Sequence, residues 1–107
     1  MVLVAWVNVE RAGPCMLGAL DHRLRELVPE SGHLVHMPTH IDVLCGNYRD
    51  VVLYNQKAVE VDRKYLAREG AGGVYTIYRS HNHHFIVYGA MFLGQFEPAI
   101  RAAQELI

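Results

Sequence analysis

The stretch GNYRDVVLYNQKAVEVD, running from Gly46 to Asp62, decides how the rest of the chain is read. A glycine, a polar residue and an aromatic open it. Val51, Val52, Ala58, Val59 and Val61 then recur on one stripe at helical spacing, without the alternation of a strand. Gly46 suits the left-handed backbone that follows a helix C-terminus, and Asn47 suits the N-cap of a new helix. One helix therefore ends at Gly46 and another begins just beyond it, and the second continues through Arg63 to Arg68.

Working outward, Leu17, Leu20, Leu24, Leu27 and Val28 recur three or four apart, which predicts a helix over 14–28 that Pro29 to Gly32 stops. A helix from about His33 to Cys45 leads into Gly46. Gly70 to Gly73 breaks the chain, and Val74 to Tyr78 is β-prone but has no second strand to pair with. Ser80 is placed to cap a helix from His81 to about Leu93. Gly94 ends that helix, and a last helix over 97–106 carries Ala99, Ala102 and Ala103 for close packing. The expectation is an all-α chain in one domain: a partial hairpin over 1–29, a hairpin over 32–69, an insertion over 70–80 and a hairpin over 81–107. Tyr48, Tyr54 and Phe96 are expected to fill hairpin cores, and Arg23, Arg25, Arg63, Lys64 and Arg68 to lie on solvated faces.

The pattern also repeats. GQFEPAIRAAQEL from Gly94 follows the same turn-aromatic-helix order as Gly46-Asn-Tyr48, offset by about one 34-residue period plus roughly 14 residues. GNYRDVVLYNQKAVEVD resembles the second half of a tetratricopeptide repeat. HLVHMPTHI (33–41) and HNHHF (81–85) resemble motifs in a group of bacterial and fungal repeat proteins to which no activity attaches. The resemblance covers the chain from about residue 24. It implies an α-solenoid of antiparallel helical hairpins whose first helices line a concave, ligand-binding surface. Pro38 and Thr39 depart from the usual repeat, which favours a leucine and a small residue there.

Composition narrows the partners. The chain has 107 residues, 51% hydrophobic and 20% charged, and a formal net charge of −1. That balance gives no electrostatic reason to expect nucleic acid or an anionic membrane. Met1 to Val7 is apolar, too short to span a bilayer, and without the features of a signal peptide, which points to the cytoplasm. The apolar start and the apolar end at Leu106-Ile107 predict a chain that self-associates or belongs to a longer protein. Cys15 and Cys45 form no CxxC pattern and read as buried small residues.

Histidine is the unusual component: there are seven. His33, His36 and His40 fall within about 60° of one helix face. His81, His84 and Tyr88 share that spacing. His33 and His81 each stand thirteen residues before their turn glycine, and His36 and His84 each stand ten before it. Matched registers place His36, His40, His81 and His84 as candidate ligands of one divalent metal, and neutral imidazole suits Zn, Cu, Ni or Fe. His33, Tyr88, Trp6 and Glu10 are expected to line the groove, with Asp42 and Asn82 as outer hydrogen-bond partners of the ligands. His36 and His40 have the spacing of an HExxH zinc helix, but no glutamate follows His36, so a zinc protease of that type is not supported.

The plainer reading is that such histidines are solvated or core residues, and it is preferred for His22 and His83. Pro38 bears on the geometry. Either the helix begins near it, leaving His33 and His36 on a loop, or the helix kinks there and frees the carbonyl of Leu34. Three readings follow: a metal-binding groove, alone or as one part of a larger metalloenzyme; a repeat scaffold for a protein or peptide partner; and, last, an enzyme using histidine as a general base.

Overall fold

A computed structural model describes residues 18–70 and 73–107, apart from the side chains of residues 18–22, 74 and 75. Trp6, Glu10, Cys15 and the side chain of His22 therefore lie outside the described parts. Every regular element in them is a helix: α1 (Gly18–Leu27), α2 (Gly32–His36), α3 (Thr39–Cys45), α4 (Tyr48–Glu69), α5 (Val74–Phe92) and α6 (Phe96–Gln104). None is long and apolar enough to cross a membrane.

The helix ends follow from local chemistry. Gly46 takes φ 74°, and its N–H reaches the carbonyls of Asp42 and Val43. An L side chain is strained there, so α3 stops. Asn47 contributes its carbonyl to Val51 N–H but makes no side-chain cap. Ser31 supplies a cap instead, its hydroxyl accepting a long 3.5 Å bond from Leu34 N–H.

The β-prone run 74–78 is helical, which moves the start of the fifth helix from His81 back to Val74. With no strand among the described residues to pair with, extended backbone would leave its polar groups unpaired; joined to the helix that follows, they are satisfied. Ser80 consequently lies inside the helix and donates to the carbonyl of Thr76 at 3.0 Å, so it caps nothing. Most of the segment read as an insertion is thus the first two turns of α5.

Pro38 kinks one helical path into α2 and α3. Met37 and Pro38 both keep right-handed helical backbone angles, so the path bends without reversing. His40 N–H turns to the carbonyl of Met37 at 3.3 Å, and Thr39 Oγ1 donates to the carbonyl of His36 at 2.6 Å. The kink thus brings a threonine hydroxyl onto a carbonyl that the straight helix would have used.

The interior has two characters. Val52, Val59, Ile86, Ala90 and Ala102 form an apolar core among α4, α5 and α6. Buried polar groups run through the α1–α4 region, among them Arg25, His36, Thr39, Asp42, Asn55 and Asp62, beside the buried Val35 and Ala58. Arg25 was expected on a solvated face. It is buried instead, paired with Asp42 and with its guanidinium 3.5 Å over the Tyr54 ring. Phe96, expected in a core, is 74% exposed.

α2 lies hard against α4. A Cβ on Gly32 would collide with the Asp62 carboxylate and stand 2.7 Å from the carbonyl oxygen of Ala58. Backbone cannot move aside as a side chain can. Gly32→Ala is therefore expected to destabilise the fold by about 1–3 kcal/mol, seen as a lower urea midpoint with an unchanged slope.

Candidate metal centre

The kink and α5 together bring three imidazoles to one place. The ligand-capable nitrogens of His36, His40 and His81 all lie within 4.8 Å of one another. His36 is buried, His40 half-buried and His81 exposed, so the cluster runs from the interior to the surface. His36 Nε2 and His40 Nε2 are 3.1 Å apart. Two ligands on one tetrahedral zinc, each 2.0–2.1 Å from it, stand about 3.3 Å apart. One edge of such a site is already near its working length, and the edges to His81 are no longer than 4.8 Å.

A chain of buried hydrogen bonds decides which nitrogen of His36 carries its proton. Asn55 Nδ2 donates to the carbonyl of Val51 at 2.7 Å and to Thr39 Oγ1 at 3.0 Å. Both partners must accept, the first because it is a carbonyl and the second because its own proton goes to the His36 carbonyl. The amide orientation of Asn55 follows from this network, and its Oδ1 is left facing His36 Nδ1 at 2.6 Å. An amide oxygen only accepts, so Nδ1 holds the proton and Nε2 presents a lone pair toward His40 and His81. A fixed N–H on the far nitrogen is the usual support of a metal-bound histidine.

Electrostatics keep the cluster neutral. Burial lowers the pKa of His36 to about 3, helped by the neighbouring His40, His81 and His33 and opposed by the Asn55 bond. His40 is lowered by burial and then by His81 and His33, and His81 by burial and then by His84 and His33. At neutral pH the three imidazoles carry no charge; His40 Nε2 donates to the His36 lone pair in the metal-free chain, and its proton must pass to Nδ1 before that nitrogen can ligate. Phe85 lies against all three rings, at centroid distances of 4.7, 4.6 and 4.9 Å from His36, His40 and His81.

The other sequence-selected residues lie elsewhere. His84 is exposed and is not among the converging nitrogens. His33 flanks the cluster, its ring 6.3 Å from that of His36 and 4.5 Å from that of Tyr78. Tyr88 packs on Phe92 and Tyr48, away from the imidazoles. Asp42 is held by Arg25 and Asn82 donates to Asp62 at 3.0 Å, so neither is the hydrogen-bond partner of a ligand. That partner is Asn55, which the sequence reading passed over. Its signal was present: Val51, Asn55, Ala58 and Asp62 are spaced four, three and four, which puts two polar residues on the buried stripe.

Comparison of the chain with models of known families, with curated proteins and with solved structures found no match.

Proposed function

We propose that this chain binds one divalent transition-metal ion through His36, His40 and His81, with Asn55 holding His36 in the ligating tautomer. The observation that carries this reading is the Nε2 lone pair of His36, fixed by the Asn55 network and aimed at His40 Nε2 3.1 Å away. A donor set of imidazoles suits Zn, Cu, Ni and Fe, and disfavours the oxygen-seeking Mg and Ca. The separation of His36 and His40 suits neighbouring ligands on any of the four. Three protein ligands leave a fourth position for another molecule.

The test is metal content of protein purified without a polyhistidine tag, incubated with Zn, Cu, Ni or Fe and dialysed. One ion per chain is expected in the parent, and loss of it in His81→Ala with the helical circular-dichroism signal retained. His81 is exposed, so its removal leaves the fold intact. A folded parent that retains none of the four metals would refute the proposal.

A second reading, a tetratricopeptide-like stack of hairpins that binds a protein partner, is favoured by a different observation. Met91, Phe92 and Phe96 at the α5–α6 turn are 69%, 58% and 74% exposed, an apolar grouping of the kind that marks interaction surfaces. The kinked α2–α3 pair packs on α4, α4 on α5 and α5 on α6.

A further inference from the structure

Among the described residues no carboxylate stands at this site to compensate the charge of a metal. Three neutral imidazoles leave a bound divalent ion with its whole charge. The groups that perturb His36, His40 and His81 are burial, an amide and other histidines, with no carboxylate among them. The converging ligand cluster contains no carboxylate either. A doubly charged centre that is partly withdrawn from water and walled on one side by Phe85 is costly unless a counter-charge accompanies it.

A fourth imidazole stands beside this position. His33 Nδ1 is buried and has no hydrogen-bond partner. Its ring is wedged between Tyr78 and the cluster, and it acts electrostatically on all three of His36, His40 and His81. It is not one of the nitrogens that converge within 4.8 Å. It is therefore a candidate partner for what the metal holds and not for the metal itself. A buried imidazole nitrogen without a partner costs about 1–3 kcal/mol, and a ligand that supplies the missing bond recovers it.

We infer that the open position of the loaded site takes a small oxygen-donor anion, a carboxylate or an inorganic oxyanion, with His33 as its hydrogen-bond donor. The inference rests on the metal reading and adds the class of ligand that site accepts. Neither the hydroxyl of Tyr78 nor the exposed His84 is needed for it.

Cobalt(II) is the probe, because its visible absorption reports coordination number and ligand exchange. The full chain is loaded with cobalt and titrated with acetate and, separately, with inorganic phosphate, with perchlorate holding the ionic strength constant. The expected result is a saturable change of the cobalt band with either anion. In His33→Phe the anion should bind roughly tenfold more weakly or worse while the cobalt itself stays bound, as expected for loss of one charge-assisted hydrogen bond. His33→Gln, which keeps a donor, should restore most of the affinity and guards against a merely structural effect of phenylalanine.

The outcomes separate the two claims. No cobalt band in the parent overturns the metal reading and this inference with it. A strong band that neither anion alters overturns the inference alone. Equal anion affinity in the parent and His33→Phe removes His33 from the binding site.

Discussion

Asn55→Leu is expected to weaken zinc binding by about 10–100-fold, the usual effect of losing the outer partner of a ligating histidine. It is also expected to destabilise the metal-free fold by about 3 kcal/mol or more, because His36 Nδ1–H and Thr39 Oγ1 each lose a partner in a site without water access. Leucine has the branching and heavy-atom count of asparagine and is the larger of the two, so no cavity contributes to the effect. Asn55→Asp separates the two losses. A carboxylate still accepts from His36 Nδ1 and keeps the tautomer, but it cannot donate to Val51 or Thr39. It should retain most of the zinc affinity of the parent while unfolding at lower urea. Chelator competition gives the affinity and urea titration the stability. If Asn55→Leu and Asn55→Asp bind zinc equally well, Asn55 does not set the His36 tautomer.

Acid should unfold the metal-free protein well before its carboxylates titrate. His36 has a pKa of about 3 in the fold against 6.5 when unperturbed. Between those values the unfolded chain binds a proton that the folded chain refuses. The stabilisation is therefore complete above pH 6.5 and is lost below it by about 1.4 kcal/mol for each pH unit. At pH 5 His36 alone removes about 2 kcal/mol, and His33, His40, His81 and His83 shift in the same direction and add to the loss. Asp42 and Asp62 act the other way. Burial raises their pKa values, so the fold takes up their protons before the unfolded chain does, and some stability returns toward the acid end. Urea midpoints at pH 7.5 and 5, with chelator present, check this. A midpoint that does not move would mean that His36 is already exposed to solvent, or already charged.

The turns were legible in the sequence because they depend on one residue each. Gly46 and Gly94 take φ values of 74° and 66°, a backbone that other L residues resist, and helices stop beside them as read. Val74 to Tyr78 could not be read this way. Its local preference is extended, and its continuity with α5, with no partner strand among the described residues, overrides that preference. Register arithmetic found the two histidine-bearing segments but treated His84 as the equal of His81. Three residues on a helix are about 60° of rotation, and that angle leaves one imidazole in the cluster and the other in solvent. Asn55 was missed for a physical reason as well. Its partners, His36 and Thr39, lie on another helix, and periodicity along one helix says nothing about what a polar group in the buried stripe will meet.

The two sides of the histidine cluster are far apart along the chain. His36 and His40 flank the Pro38 kink, whereas His81 follows only after the whole of α4 and the glycine-rich break. A metal held by all three would be a removable cross-link across that interval, closing a long loop as a disulfide does but opening again under a chelator or in acid. The polar half of the interior sets a buried amide, carboxylates and imidazoles beside Val35 and Ala58. Its cohesion would then depend in part on the supply of an ion, whereas the aliphatic cluster around Val52, Ile86 and Ala102 contains none of the three ligands.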